Sequence, residues 1–312
     1  MKIIFFGSDH FSLSSLQACI ESGNEITLIV TTPAQKKGRG LAMTSAPVQA
    51  EAEKRELPFI APPDLKDPET YKCISALAPD FYVVSSYGKY IPSSYLGLPK
   101  LASLNVHPSL LPLYRGSSPI QAALLSGDAS TGVSIIEVAK KLDAGDIFRQ
   151  VSLAIDTNDD YPSLSRKLAE LSHSVLLEIL TGMALSGLTR RPQMENLATY
   201  TRKFEKDDGL LKWENSVQDF DRKARALRPW PGTYVLFENT RLALLELEPA
   251  ESASHEIPGR VLEIGGDGSM LVSVGSGAIR ISRVQLAGKN AVTARDFANG
   301  RRIKPGFTFV SP

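Results

Sequence analysis

Lys2-Ile3-Ile4-Phe5-Phe6-Gly7-Ser8-Asp9-His10 opens the chain with four consecutive apolar residues closed by a glycine. A short apolar run that stops at glycine reads as a buried strand. Phe11, Leu13, Leu16 and Ile20 follow at helical spacing as far as Gly23, and residues 25–30 resume as a second strand. This strand–helix–strand unit decides the fold, because parallel strands need a helical crossover and such crossovers are right-handed.

Working outward, the alternation continues. Residues 46–56 read as a helix, 59–61 as a short strand, and 67–77 as a helix leading into the apolar strand 81–85. Residues 101–106 and 132–138 are further strands, with a helical stretch at 119–125 between them. Residues 161–185 form a long amphipathic helix with Leu164, Leu168, Leu171, Val175 and Ile179 on one face. The expectation is an α/β, doubly wound, Rossmann-like domain over 1–187. Residues 32–47 interrupt it with glycine and proline breaks and little periodicity, and read as a long exposed loop.

Residues 188–208 are polar and aperiodic and read as a linker. Beyond them, Ser216 with Asp219 marks a capping box for a helix running to about Leu227, stopped by Pro229, Trp230 and Pro231. Apolar segments at 233–237, 241–247, 259–264, 270–274 and 278–284, joined by glycine-containing turns, suggest a small β-barrel of OB type over 209–312. A last helix at 294–300 is capped by Thr293.

Composition agrees with two cores. Of 312 residues, 43% are hydrophobic and 22% charged, as in globular chains. Lys and Arg total 35 against 34 Asp and Glu, a net +1 that argues against a protein binding polyanions with its whole surface. Residues 201–312 nevertheless hold 17 basic and 14 acidic side chains, a surplus of three, which leaves −2 for the rest. Cys19 and Cys73 have no zinc or disulfide spacing and read as reduced core thiols. The apolar start is too short for a signal sequence, and no run approaches the ~20 apolar residues of a membrane span. A cytoplasmic protein is expected.

Familiar nucleotide and hydrolase motifs fail. Gly7-Ser8-Asp9-His10-Phe11 lacks the further glycines of a dinucleotide fingerprint, and no acidic residue ends the second strand. Gly88-Lys89 and Gly288-Lys289 lack a phosphate loop's other residues, and neither Gly-x-Ser-x-Gly nor His-Glu-x-x-His occurs.

The informative segment is Asn105-Val106-His107-Pro108-Ser109-Leu110-Leu111-Pro112-Leu113-Tyr114-Arg115-Gly116. Strand alternation sends Asn105 and His107 to one side at the carboxyl end of a strand, the edge where open α/β sheets bind ligands. The two prolines end ladder pairing and stiffen the exit loop. Lys141-Leu142-Asp143-Ala144-Gly145-Asp146 follows the next strand and is expected to bring a carboxylate to the same edge. Singly, Asn105 could cap a turn, His107 could be a satisfied core histidine and Asp143 could start a turn. Together an amide, an imidazole and an acid lack a nucleophile and suit acyl transfer to an amine, with Asn105 and His107 donating to an oxyanion and Asp143 assisting proton removal.

Asn105-x-His107-Pro108-Ser109-Leu110-Leu111-Pro112 with Arg115-Gly116, then Leu142-Asp143-x-Gly145-Asp146, resembles the signature of the folate-dependent formyltransferases. Gly38-Arg39-Gly40, Pro47-Val48, Tyr87-Gly88, Asp128 with Thr131-Gly132, Arg228-Pro229-Trp230-Pro231 and Ala287-Gly288-Lys289 extend the resemblance over nearly the whole chain, toward the members acting on methionyl initiator tRNA. Gly7-Ser8-Asp9 departs from the Gly-Thr-Pro usual there, and Ala34-Gln35 from an Asp-containing stretch.

The resemblance implies formyl transfer from 10-formyltetrahydrofolate to the α-amino group of methionyl initiator tRNA, without a metal. It implies Asn105, His107 and Asp143 as the catalytic group. Ser109, Leu110, Leu111 and Pro112 would form a folate loop, and Tyr87, Gly88, Tyr90 and Ile91 would line the pterin side. Arg39, Lys36, Lys37 and Lys206 would meet tRNA phosphates. A monomer with neither a DNA nor a membrane partner is expected. Alternatives are a small-molecule formyltransferase acting on an amino sugar or nucleotide precursor, a formyltetrahydrofolate hydrolase, and a non-catalytic RNA-binding protein. The C-terminal domain weighs toward RNA, and the intact Asn105, His107 and Asp143 set toward catalysis. His10, His173 and His255 join no constellation.

Overall fold

Ile3 to Phe6 are wholly buried in β1 (Lys2–Gly7), whose two parallel neighbours are β2 (Glu25–Val30) and, on its other side, the strand at Phe81–Ser85. The computed structural model describes residues 1–37, 42–186, 189–251 and 256–311. They cluster into two compact units. The first comprises Met1–Pro119, Ala129–Ile155 and Leu164–Thr201; the second comprises Ile120–Asp128, Asp156–Ser163 and Arg202–Pro312.

In the first unit, α1 (His10–Glu21) follows β1 and precedes β2. The loop expected at 32–47 contains a small hairpin, β3 (Gln35–Lys37) with β4 (Ala42–Thr44). Then come α2 (Pro47–Lys54), β5 (Phe59–Ile60), α3 (Pro68–Ala76), β6 (Phe81–Ser85), β7 (Ala102–His107) and β8 (Arg115–Gly116), followed in the chain by α4 (Pro119–Ser126), which falls almost wholly in the second unit. β9 (Ser130–Glu137), β10 (Ile147–Ala154), α5 (Tyr161–Ser186) and β11 (Tyr200–Thr201) complete the order. The seven-stranded sheet runs β10-β9-β7-β6-β1-β2-β5. Strands β5, β2, β1, β6 and β7 are parallel, and the strand order reverses between β1 and β6.

Within the seven-stranded sheet, two strands differ from the sequence expectation. β9 is antiparallel to β7, and β10, which the periodicity did not mark, is antiparallel to β9. β10 alternates buried or half-buried with exposed residues over much of its length, and with only one strand neighbour it lacks the continuous apolar run that marks a central strand. Cys73 also departs from expectation: it is exposed, whereas Cys19 is buried and its thiol is pushed upward by that burial.

Serines dock α1 on the sheet. Ser12 Oγ donates to the Ser85 carbonyl at 2.7 Å and Ser15 Oγ to Ser85 Oγ at 3.0 Å. Asp9 caps the helix by accepting from the Ser12 N–H at 3.1 Å, so the turn that lacks the usual proline carries a side-chain cap instead, a device worth about 1 kcal/mol. Burial pushes the Asp9 carboxyl upward against the pull of the Ser12 donors.

In the second unit, α6 (Val217–Ala226) begins with the expected Ser216/Asp219 capping box. β12 (Thr233–Phe237), β13 (Thr240–Ala250), β14 (Val261–Ile264), β15 (Met270–Ser273), β16 (Ala278–Leu286) and β17 (Val292–Thr293) form one antiparallel sheet ordered β12-β13-β16-β15-β14, with β17 on β16. The β12–β13 turn uses Glu238 and Asn239 at φ +49° and +59°, the geometry that matches hairpin twist. α7 (Ala294–Gly300) packs with the sheet around an aromatic core, where Trp213 stacks on Phe309 at 5.1 Å and on Phe220 at 5.8 Å. Among the described residues no helix is long and apolar enough to cross a membrane.

Candidate active site

Asn105 and His107 end β7, and the period of two puts both on one face while Val106, 3% exposed, points into the opposite layer. His107 is itself only 4% exposed. Its Nε2 lies 3.0 Å from the Tyr114 carbonyl. A carbonyl only accepts, so Nε2 carries the proton and Nδ1 turns to the third member of the group.

That member is Asp143. Its Oδ1 accepts from Asn105 Nδ2 at 3.2 Å, and its Oδ2 accepts the Gly116 N–H at 2.8 Å and lies 3.6 Å from His107 Nδ1. One hydrogen of the Asn105 amide is used in this contact, and the amide has a second to give. The residues converge, but not by the expected route. Because β9 runs against β7, with Glu137 opposite Leu104, its end lies toward the start of β7. The loop between β9 and β10 therefore carries Asp143 back across the sheet face rather than rising from the same edge. Asp143 adopts φ +47°, the left-handed region that non-glycine residues enter only when their surroundings hold them there.

The loop after His107 is consumed by internal bonds. The Ser109 N–H donates to the His107 carbonyl at 2.9 Å, and Ser109 Oγ to the Leu113 carbonyl at 2.6 Å. Ser134 Oγ donates to the Ser109 carbonyl and accepts from the Leu111 N–H, while Gln150 Nε2 donates to the Leu111 carbonyl at 2.8 Å. Ser109 and Leu111 are buried, and Leu111 packs with Ile136 and Ile147. What the loop offers a ligand is mainly its fixed shape and the half-buried Leu110 and Pro112.

Residues 191–201, polar and aperiodic in sequence, are paired to this loop. Arg191 and Ile147 exchange backbone hydrogen bonds of 2.8 and 3.0 Å, the Thr199 N–H donates to the Pro112 carbonyl at 3.2 Å, and β11 pairs with β8. Arg115, wholly buried, reaches Glu195 at 2.9 Å and the Tyr200 hydroxyl at 3.1 Å. Gln193, Glu195 and Tyr200 were not legible as site residues. A lone tyrosine in a polar stretch is the one sequence sign that the segment packs on something.

At the reversal of strand order, where open sheets bind ligands, Ser8 Oγ donates to the Tyr87 carbonyl at 3.1 Å. The Tyr87 ring stands edge-on to Phe6 at 5.6 Å, and its hydroxyl is buried without a hydrogen-bond partner among the described residues and pushed up to about 12 by that burial. Gly88 turns the chain at φ +77°, Tyr90 is 65% exposed and Ile91 returns to the core. Of the cationic residues, Lys36 and Lys37 lie on β3 and Lys206, itself exposed, begins a turn at Lys206–Gly209, whereas Arg39 lies outside the described residues, as does His255. Among the described residues no cluster of three or more His, Cys, Asp or Glu could hold a metal ion.

The formyl transferase family model matches residues 1–180, and the formyl transferase C-terminal domain matches 203–302. A methionyl-tRNA formyltransferase of Sulfurihydrogenibium sp. (strain YO3AOP1) is 34% identical over 310 residues, covering 99% of this chain and 100% of that protein. One of Legionella pneumophila (strain Corby) is 36% identical over 304 residues, covering 97% and 96%. Among solved structures, HypX from Aquifex aeolicus in complex with tetrahydrofolic acid aligns with a TM-score of 0.63 at 20% identity, over 96% of this chain and 47% of that one. WlaRD, a sugar 3N-formyl transferase, aligns with a TM-score of 0.65 at 15% identity, over 93% and 99%. At these identities the two structures share the fold.

Proposed function

This chain belongs to the formyl transferase family, and from that premise we propose that it transfers the formyl group of 10-formyltetrahydrofolate to the α-amino group of methionyl initiator tRNA. The observation that carries the reading is the meeting of Asn105, His107 and Asp143 through contacts of 3.2 and 3.6 Å, in a chain matching methionyl-tRNA formyltransferases end to end.

In this reading the amine attacks the formyl carbon and a tetrahedral oxyanion forms. The free hydrogen of the Asn105 amide donates to that oxygen, and His107 joins it by turning its Nε2–H from the Tyr114 carbonyl. Donors aimed at a developing oxyanion in a buried site are worth about 3–4 kcal/mol each. Asp143 helps remove the proton lost by the amine, and its carboxylate, facing Nδ1, stabilises the imidazolium form of His107. Collapse breaks the bond from the formyl carbon to N10 of the folate, which leaves with a proton in exchange. The products are tetrahydrofolate and formylmethionyl-tRNA.

Ser109, Leu110, Leu111 and Pro112 with Tyr87, Gly88, Tyr90 and Ile91 are assigned to the folate. Since most polar groups in residues 109–112 already have partners, contact there is by shape and apolar surface. Lys36, Lys37, Arg39 and Lys206 are assigned to the tRNA backbone, as cations near a polyanion. The 209–312 domain is read as an OB-like barrel that binds the tRNA, a reading supported by the register shifts in β13, since such bulges curl a sheet toward closure. Residues 1–187 would be the catalytic domain, and the enzyme a cytoplasmic monomer.

Incubation with 10-formyltetrahydrofolate and methionyl initiator tRNA should yield formylmethionine on the RNA. Formylation of a small amine alone, or release of formate without transfer, would replace this reading with the small-molecule or hydrolase alternative.

A further inference from the structure

We infer that Gln193 is a positioning residue that sets the catalytic carboxylate of Asp143, an inference that rests on the role proposed for Asp143 above. Gln193 Nε2 donates to the carbonyls of Asp143 and Gly145, both at 2.8 Å, which uses both hydrogens of its amide. Its Oε1 accepts from Arg115 Nε at 3.1 Å and from Nη2 at 2.9 Å. The amide orientation is settled by chemistry, because a guanidinium only donates and carbonyls only accept.

Besides Gln193, the turn is closed by the Glu137 N–H, which donates to the Asp146 carbonyl at 2.9 Å, one residue beyond the two carbonyls that Gln193 grips. Asp143 sits at φ +47°, and the Ala144 N–H makes a long bond of 3.3 Å to the Lys141 carbonyl. Gly145 passes so close to Glu137 that a Cβ would lie 1.8 Å from its carbonyl oxygen, so the turn cannot relax in that direction. Both ends of Asp143 are thereby referenced to two consecutive residues. Its carboxylate takes the Gly116 N–H, and its backbone is tied through Gln193 to the Arg115 guanidinium.

A purely structural role, pinning residues 191–201 to the rest of the first unit, does not require this amide. That attachment is made on one side by the Arg191–Ile147 backbone pair and on the other by Thr199 with Pro112 and by β11 on β8. What Gln193 adds is the position of the Asp143 turn, where a displacement of about 1 Å can cost on the order of 100-fold in rate.

The test is a double-mutant cycle of Gln193→Glu with Asp143→Asn, assayed with 10-formyltetrahydrofolate and methionyl initiator tRNA. Gln193→Glu keeps the side-chain length and the contact to Arg115 but replaces the two donated hydrogens by an oxygen facing two carbonyls. The expected result is a kcat lowered about 10- to 100-fold, KM for both substrates within about twofold, and less than about twofold further loss when the change is made in Asp143→Asn. Losses that multiply, a normal kcat, or a change confined to KM would overturn the inference. Near-normal turnover of Asp143→Asn alone would instead overturn the role given to Asp143. Should Gln193→Glu not fold, Gln193→Met removes the donors at similar volume and is judged by the same cycle.

Discussion

Asp143 and Gly116, 27 positions apart, are joined by a 2.8 Å hydrogen bond from the glycine N–H to the carboxylate that faces His107. The bond orients a charge with a backbone group, which has no side-chain torsion to lose. In the proposed reaction it also makes the backbone at Gly116 part of the chemistry.

Gly116 has φ +114°, and a Cβ there would lie 2.3 Å from the Thr201 carbonyl oxygen. Gly116→Ala is therefore expected to strain the backbone by roughly 1–3 kcal/mol and push β8 off β11. A melting temperature lowered by several degrees, with turnover reduced about tenfold or more, is the expected pair of results. Turnover at the original level in a destabilised protein would show that the N–H does not orient Asp143.

His107→Ala should lower turnover by about 100-fold or more, the scale for removing an oxyanion donor, while tRNA affinity stays close to the original. Steady-state kinetics with a separate filter-binding measurement separates the two. Near-normal turnover would remove His107 from the reacting group.

Lys141, and after it Arg115, holds the Glu195 carboxyl below its ordinary value of 4.5. A carboxyl lowered on folding contributes stability that is fully present above the ordinary value and is lost as pH falls through the lowered folded one. Melting temperature should accordingly decline below pH 4.5, and Glu195→Gln should flatten part of that decline while leaving the neutral region less stable. Superimposable acid limbs for the two proteins would mean that Glu195 does not anchor residues 191–201.

Arg39→Ala should weaken use of methionyl-tRNA and reduce the slope of log affinity against log salt by about one, with folate binding intact. The measurement is tRNA affinity at several ionic strengths. An unchanged slope would take Arg39 out of the RNA interface.

The parallel half of the sheet was legible because its strands are buried on both faces and write themselves as apolar runs: Ile3 to Phe6, Leu28 to Val30 and Phe81 to Val84 are all at least nine-tenths buried. The caps at Ser216 and Thr293 were legible because they are local hydrogen bonds with a fixed spacing. β10 was missed because an edge strand with exposed residues along it has no such run. The hairpin at β3 and β4 was missed because three-residue strands are too short to show a period.

By itself the sequence determined which residues are proposed for the chemistry: strand alternation put Asn105 and His107 on one face, and the Leu142-Asp143-x-Gly145-Asp146 pattern marked the carboxylate that meets them. Only the tertiary structure decided how the acid arrives, over the sheet face from a loop reversed by the antiparallel β9, and what holds it there. The physical reason is that periodicity records the relation of a residue to its own strand or helix. A hydrogen bond such as Gln193 to the Asp143 carbonyl joins polar groups 50 positions apart, and it leaves no period in either segment.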